Sequence, residues 1–336
     1  MAPVRVGIIG TGFGARVVAP SFEAAGCTIG GIASPRDDAA WRALCASGDV
    51  DLVAVHSPPF LHRAHVEAAL AHGKHVLCDK PFGLDAGEAQ AMLDAARAAG
   101  VVHALNFEFR RHPVVERMRS LVAEGAIGRP EHVQWVHVSS GTRIPLRRFG
   151  WLFDRSRGGG WIGAWCSHTI DALRNLLGEV AAVTACAGPV TIAERPDADG
   201  VLHACTAEDA MTASLVLEGG VTVAIDSSYA ATVNLPARTV ITGSEGALEN
   251  VGNDRLMLFR PGAPPERIDV AGDDDGHADR HALPMRRWAA DLAAAVRDGR
   301  PVAPSFDDGL ACRRVLDALL EAAGAPAPAT PARAAP

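Results

Sequence analysis

The sequence predicts two domains: an α/β domain built on a parallel sheet, then an α+β domain with a mostly antiparallel sheet. Three observations carry this. Over the first 106 residues short apolar runs alternate with longer helix-like stretches, the pattern of strands that need a crossover between them. After about residue 113 β-like runs follow one another with only turns between. The length, 336 residues, is about twice that of an ordinary single domain.

In order, strands are expected at 4–9, 28–33, 51–56, 75–78 and 101–106, with helices at 12–25, 38–46, 65–71 and 86–99. A helix at 113–124 leads to a β-like run at 131–140. Gly158-Gly159-Gly160 precedes a helical stretch at 161–177. Further strands are expected at 181–187, 210–217, 221–229, 238–242 and 255–259, with Gly219-Gly220 turning a hairpin. Helices at 284–298 and 307–323 close the chain, and the Ala/Pro-rich tail 324–336 reads as disordered. The domains are placed at 1–112 and 113–323, with the last helix packing back on the first domain.

Composition excludes several classes. Lys+Arg is 32, yet Lys74 and Lys80 are the only lysines, and Tyr229 is the only tyrosine. Tyr229 has no lysine four residues on, which removes short-chain dehydrogenase chemistry; Gly73-Lys74 is followed by His75, which removes a Walker A loop. A net charge of −7 with no basic run lacks the footprint of a nucleic-acid binder. No apolar run is long enough to span a membrane, and the N-terminus lacks a signal-peptide layout, so a cytoplasmic location is expected. The seven scattered cysteines form no C-x-x-C and read as reduced thiols. The histidine pairs His62/His65 and His72/His75 lack a nearby carboxylate or thiolate set, so no metal is expected.

Gly10-Thr11-Gly12-Phe13-Gly14-Ala15 fits G-x-G-x-x-A directly after the first strand and at the start of a helix. Gly10 permits the turn, Gly12 lets backbone approach a pyrophosphate, and Ala15 allows close helix–sheet packing; the helix N-terminus offers free N–H groups and the positive end of its dipole. A dinucleotide is the expected ligand. At the end of the second strand, where an acidic residue would hold the ribose diol of NAD, stand Ser34, Pro35 and Arg36. A hydroxyl and a guanidinium favour the 2′-phosphate of NADP over NAD, although Asp37 and Asp38 place negative charge beside it.

Residues 73–81 read Gly-Lys-His-Val-Leu-Cys-Asp-Lys-Pro, so a strand delivers Asp79, Lys80 and Pro81 to the carboxyl edge of the sheet, where open α/β folds bind ligands. Pro81 biases Lys80 toward an extended conformation. A lysine there holds a substrate oxygen and shares its proton, which arginine cannot do.

With this block the chain resembles the Gfo/Idh/MocA oxidoreductases, the glucose–fructose oxidoreductase and inositol dehydrogenase group. Four elements match in order: the glycine turn, residues 50–58 running to His62, the Lys80 block, and the triple glycine running to His168, with Asp79 where Glu is usual. The resemblance implies a Rossmann domain, then a large open antiparallel sheet that often forms a homo-oligomer interface, dimer or tetramer. It implies NAD(P)-dependent redox chemistry on sugars, polyols and related hydroxy compounds. It puts Gly10, Gly12, Phe13, Gly14, Ser57, Pro58, His62, Asp79, Lys80 and Pro81 on the cofactor side, with Lys80 catalytic. The family's Asp-x-x-x-His keeps its histidine as His168, but Ala164 replaces the carboxylate; Asp171 is a possible substitute partner. Only 15 residues separate Ser34 from Val50, room for one helix but not for a further strand, so the sheet is expected to lack one edge strand.

Around the glycine loop stand Phe149, Trp151, Trp161 and Trp165, each either a platform for a sugar ring or core filling, with Trp165 the best placed. Arg147, Arg148, Arg155 and Arg157 read as a substrate-anion site or a solvated basic loop. Asn106 and Arg110, just past the fifth strand, are candidates to face the substrate. The expected reaction is hydride transfer between nicotinamide and a sugar-like alcohol or ketone, with His168 as acid/base and Lys80 polarising the oxygen. A redox-neutral elimination or glycoside cleavage, and a non-enzymatic cofactor-binding sensor or accessory subunit, are the alternatives.

Overall fold

The computed structural model describes residues 2–270 and 279–324. Strand β1 (Arg5–Ile9) turns at Gly10 into a π-helical turn, Gly14–Val18, and α1 (Ala19–Ala24). There follow β2 (Thr28–Ala33), α2 (Asp38–Ala46), β3 (Leu52–Val55), α3 (Pro59–Ala71), β4 (His75–Cys78), α4 (Ala86–Ala99) and β5 (His103–Leu105). The sheet is parallel throughout, in the order β2-β1-β3-β4-β5. Among the described residues no strand lies between 36 and 48, so β2 is the edge and the expected outer strand is missing.

Side chains alternate across this sheet as strand geometry requires. Val6, Ile8, Leu52, Ala54 and Leu77 face one side, while Ile9, Val53, Val55, Val76 and Cys78 face the other. Both sides are apolar because both are covered. Helix α3 starts at Pro59, earlier than the expected 65: Pro59 occupies the first helical position, where its missing N–H costs nothing.

A 3₁₀ turn (Glu108–Arg111) leads to α5 (Pro113–Ala123) and β6 (Pro130–Val138). A π-helical turn, Ile162–Cys166, then opens α6 (Ser167–Leu177). The remaining strands are β7 (Val180–Ala187), β8 (Glu194–Pro196), β9 (Leu202–Ala204), β10 (Ala210–Leu217), β11 (Thr222–Ser228), β12 (Arg238–Gly243), β13 (Gly246–Val251), β14 (Arg255–Phe259) and β15 (Glu266–Ile268). Seven of them join β6 in an open eight-stranded sheet, β15-β14-β13-β12-β6-β11-β10-β7, antiparallel except where β6 runs parallel to β11. β13 escapes the sequence pattern because Gly-Ala-Leu-Glu-Asn-Val carries a polar Asn250 where the inward face continues from Leu248.

The closing helices α7 (Ala282–Asp298) and α8 (Phe306–Gly324) both return to the first sheet. Met285, Trp288 and Leu292 of α7 pack with α1 over the face of Val6 and Ile8. α8 lies between α4 and β7, so it touches both sheets. Gly324 ends α8; the rest of the expected disordered tail lies outside the described residues. Among the described residues no helix is long and apolar enough to cross a membrane, and no group of His, Cys, Asp or Glu is placed to hold a metal ion.

Candidate active site

The glycine turn is shaped for a ligand. Gly10 adopts φ +149°, and a Cβ there would stand 2.7 Å from the His56 carbonyl oxygen. Gly12 is exposed, and a Cβ on it would meet nothing within 4 Å, which leaves open space against bare backbone. The tight helix–sheet contact falls on Gly14, where a Cβ would come 2.8 Å from Ile8 Cγ2, and not on Ala15 as the spacing implies. An open cradle at a helix start fits a dinucleotide pyrophosphate. Gly10→Ala should destabilise the fold by about 1–3 kcal/mol and weaken cofactor binding, read by thermal melts and NADH fluorescence titration; unchanged binding would remove the turn from the site.

At the end of β2, Ser34 Oγ accepts from the Arg36 amide at 3.3 Å and Arg36 is exposed. Asp37 caps α2 through the Ala40 amide (3.0 Å), and Asp38 accepts from Trp41 Nε1 (3.1 Å), so both carboxylates are already engaged.

The ends of β3 and β4 are tied together from beneath. His62 is fully buried, with Nε2 2.8 Å from the Ser57 carbonyl and Nδ1 3.1 Å from the Pro81 carbonyl. It therefore shapes the cofactor-side loops and does not touch a cofactor, contrary to expectation. Ser57 Oγ is 2.9 Å from His65 Nδ1, and Pro58 immediately precedes α3. Asp79 Oδ1 accepts from the Lys80 amide (2.9 Å) and from Asn106 Nδ2 (3.3 Å); its Oδ2 lies 3.4 Å from His56 Nδ1. Burial pushes the Asp79 carboxyl up, but His56 and the charge of Lys80 outweigh it and hold it well below the usual range. Asn106 is 1% exposed and stands behind Asp79, so it positions that carboxylate and does not face substrate as expected.

Lys80 Nζ donates to the Ala164 carbonyl at 2.8 Å. The position that lost its carboxylate thus still holds the lysine, through backbone. The π-helical turn there distorts the regular ladder, a device common at functional sites. Glu208 fixes this helix start: its fully buried carboxylate accepts from the Ile162 amide (3.0 Å), pairs with Arg155 (3.4 Å), and occupies the space a Cβ on Gly160 would need. Gly160 sits at φ +114°.

His168 follows one turn later. Its ring lies edge-on to Phe109 at 4.9 Å, and Nε2 is buried without a partner. Burial, then the charge of Lys80, pushes its pKa well down, so the imidazole stands neutral. Asp171 is not its partner. Asp171 and Arg110 form a two-pronged pair (2.9 and 2.5 Å), and Arg110 also binds Asp308 at 2.8 Å. Burial lifts the Asp171 carboxyl to about 6 against the pull of Arg110. Both residues line the cavity with their charges paired to each other.

Lys80 and His168 open on one cavity of about 310 Å³. Its wall is a ring stack: Trp165 lies parallel to Trp161 (5.6 Å, 7°) and to His137 (5.3 Å, 24°), and Trp161 stacks on Tyr229 (4.0 Å). Trp161 is buried and bonds Ser227 Oγ through Nε1 (2.8 Å), which makes it the backing and Trp165 the face. Trp151 and Arg147 also line the cavity, whereas Phe149 stacks on His203 and Arg157 covers Phe60. Inward from the second sheet come His137 and Asn250, each with a buried polar atom lacking a partner.

Residues 4–107 match the oxidoreductase family with an NAD-binding Rossmann fold, and residues 115–249 match the GFO/IDH/MocA C-terminal domain. The chain is a Gfo/Idh/MocA oxidoreductase. Levoglucosan dehydrogenase of Pseudarthrobacter phenanthrenivorans is 28% identical over 84% of this chain and 80% of its own. D-xylose 1-dehydrogenase (NADP(+)) 2 of Haloferax volcanii is 28% identical over 94% and 96%. A solved levoglucosan dehydrogenase complex with NADH and L-sorbose superimposes with a TM-score of 0.84 at 25% identity, covering 95% of this chain and 96% of that one. As a Gfo/Idh/MocA oxidoreductase the chain keeps the lysine and histidine of the family pattern and departs at Ala164. Glu208, Glu108 and His281 carried no sequence signal, because each gains its meaning from a partner distant in the chain.

Proposed function

We propose that this oxidoreductase transfers hydride between a nicotinamide cofactor and a secondary alcohol of a sugar, polyol or related compound, or its ketone. The observation that carries it is the meeting of Lys80 and His168 in one aromatic-walled cavity at the carboxyl end of β4. Relatives named for levoglucosan and D-xylose support the substrate class. A bound nicotinamide supplies the hydride acceptor or donor. The chain's own residues do the rest. The Lys80 ammonium, steadied by the Ala164 carbonyl, donates to the carbinol oxygen; His168 takes the hydroxyl proton; Trp165 receives the apolar face of the ring.

NADP is the proposed cofactor in preference to NAD. Its support is the exposed Arg36 beside Ser34, with Asp37 and Asp38 engaged elsewhere. The reading includes association of copies, as dimer or tetramer, through the outer face of the second sheet, where β7 exposes small apolar side chains such as Ala181, Ala182 and Ala185.

A panel of polyols, inositols, aldoses and keto-sugars with NAD and NADP, followed at the nicotinamide absorbance, tests this. Turnover with NADP preferred is expected, and Arg36→Ala should reduce that preference about tenfold, the loss of roughly one charge-assisted contact. Substrate consumed without net cofactor reduction would point to the redox-neutral route. No turnover of any member by a protein that binds NADH would overturn the enzyme reading.

A further inference from the structure

We propose that Glu108 and His281 form a second carboxylate–imidazole pair at the active-site cavity, and that His281 passes the reaction's proton to solvent. The proposal rests on the hydride-transfer reading above. Glu108, on the 3₁₀ turn after β5, is 1% exposed; its Oε1 accepts from His281 Nδ1 at 2.7 Å, and its Oε2 is buried with no partner. His281, just before α7, lines the same cavity as Lys80 and His168. Its ring is held edge-on to Phe13 of the glycine turn (5.3 Å) and tilted against Phe109 (4.9 Å).

A carboxylate on Nδ1–H fixes the tautomer and leaves the Nε2 lone pair free for proton exchange, the arrangement that orients the histidine of a catalytic triad. The two cavity histidines then divide the work. His168 is the more enclosed of the two, its Nε2 buried away from solvent, while the His281 side chain is 24% exposed. Phe109 lies 4.9 Å from each ring, so the two imidazoles flank it. The charged groups facing His281 are Glu108, Asp279 (whose Oδ1 accepts from the His281 amide and whose Oδ2 is 3.7 Å from Arg16), Arg280 and Lys80, with the titratable, neutral His168 beside them. Position 164 has lost the family's carboxylate; Glu108 brings one to an imidazole of the same cavity from a different strand end.

The step balances as follows. In oxidation the carbinol C–H bond breaks and its electron pair leaves with the hydride for nicotinamide. The O–H bond breaks and its proton goes to His168. Through a substrate hydroxyl or a water it reaches His281 Nε2, and from there bulk water. One alcohol and one oxidised cofactor give one ketone, one reduced cofactor and one proton.

The test compares wild type, His281→Ala, His281→Gln, Glu108→Gln and His168→Ala on the best substrate of the panel, with and without free imidazole. His281→Ala and His281→Gln should lower kcat by about 10–100-fold with KM and the NADH dissociation constant little changed. Free imidazole should restore kcat in His281→Ala and not in His168→Ala, and Glu108→Gln should fall between wild type and His281→Ala. Wild-type kcat in both His281 variants, a loss that imidazole does not repair, or a parallel loss of NADH binding overturns the proposal. Those outcomes leave wild-type turnover intact; absence of turnover in the wild type sinks the hydride reading itself, and this proposal with it.

Discussion

Lys80→Met should lower kcat/KM by about three orders of magnitude or more and leave the NADH dissociation constant within about threefold of wild type, a shift below 1 kcal/mol. Methionine matches the reach of lysine and keeps the packing, so what is lost is the ammonium. In the cavity that ammonium has one fixed acceptor, the Ala164 carbonyl at 2.8 Å, which leaves further N–H groups for a substrate oxygen. Its positive charge also adds to burial in lowering the His168 pKa, so the substitution removes the oxygen's donor and alters the neighbouring imidazole in one stroke. Lys80→Arg should be nearly as damaging, because a guanidinium neither fits a point contact to one carbonyl nor shares a proton. Steady-state kinetics beside NADH fluorescence titration checks both. Wild-type turnover in Lys80→Met removes Lys80 from the chemistry.

Mild acid should destabilise this protein as its buried histidines take up protons, offset in part by Asp171, whose raised carboxyl protonates in the same window. Burial pushes His65 down to about 4, and burial with the nearby charge of Arg280 does the same for His137. Burial also lowers His62 and His168. A depressed folded pKa means that the unfolded chain binds more protons. Stability is therefore fully present above the unfolded value of about 6.5 and is lost as pH falls from there toward about 4. His65 and His137 each account for up to about 3 kcal/mol over that window, together a large fraction of an ordinary domain's stability. Urea denaturation should give a flat midpoint from about pH 8 to 6.5 and a steep fall below it. A midpoint unchanged down to about pH 4.5 would show that these rings charge freely in the native state.

Much of the fold was legible because it rests on local pattern. The runs of β1, β3 and β4 are apolar on both faces, and they are bounded by glycine, proline or an aspartate cap such as Asp85. Even the missing edge strand was readable, since 15 residues between Ser34 and Val50 hold α2 and nothing more. β13 was not, because its inward Asn250 serves the cavity and breaks the alternation. The site divides in the same way. The glycine turn and Lys80 depend on neighbours in sequence. Arg110 with Asp171 and Asp308, Glu208 with Ile162, and Glu108 with His281 join residues 61, 198, 46 and 173 apart, and no spacing rule reaches that far. The sequence reading therefore counted Arg110 and Asp171 as free groups when each was neutralising the other.

The return of α7 to the first sheet has a consequence for synthesis. A ribosome makes β1 to β5 first, yet the face of Val6, Ile8, Leu52, Ala54 and Leu77 stays half covered until Met285, Trp288 and Leu292 emerge. The nucleotide-binding half is therefore completed last, by residues translated after the whole second sheet. Vectorial folding here cannot proceed domain by domain. The nascent chain carries an oily surface through most of its translation, and a nonsense mutation anywhere before α7 leaves that surface for chaperones and proteases to find.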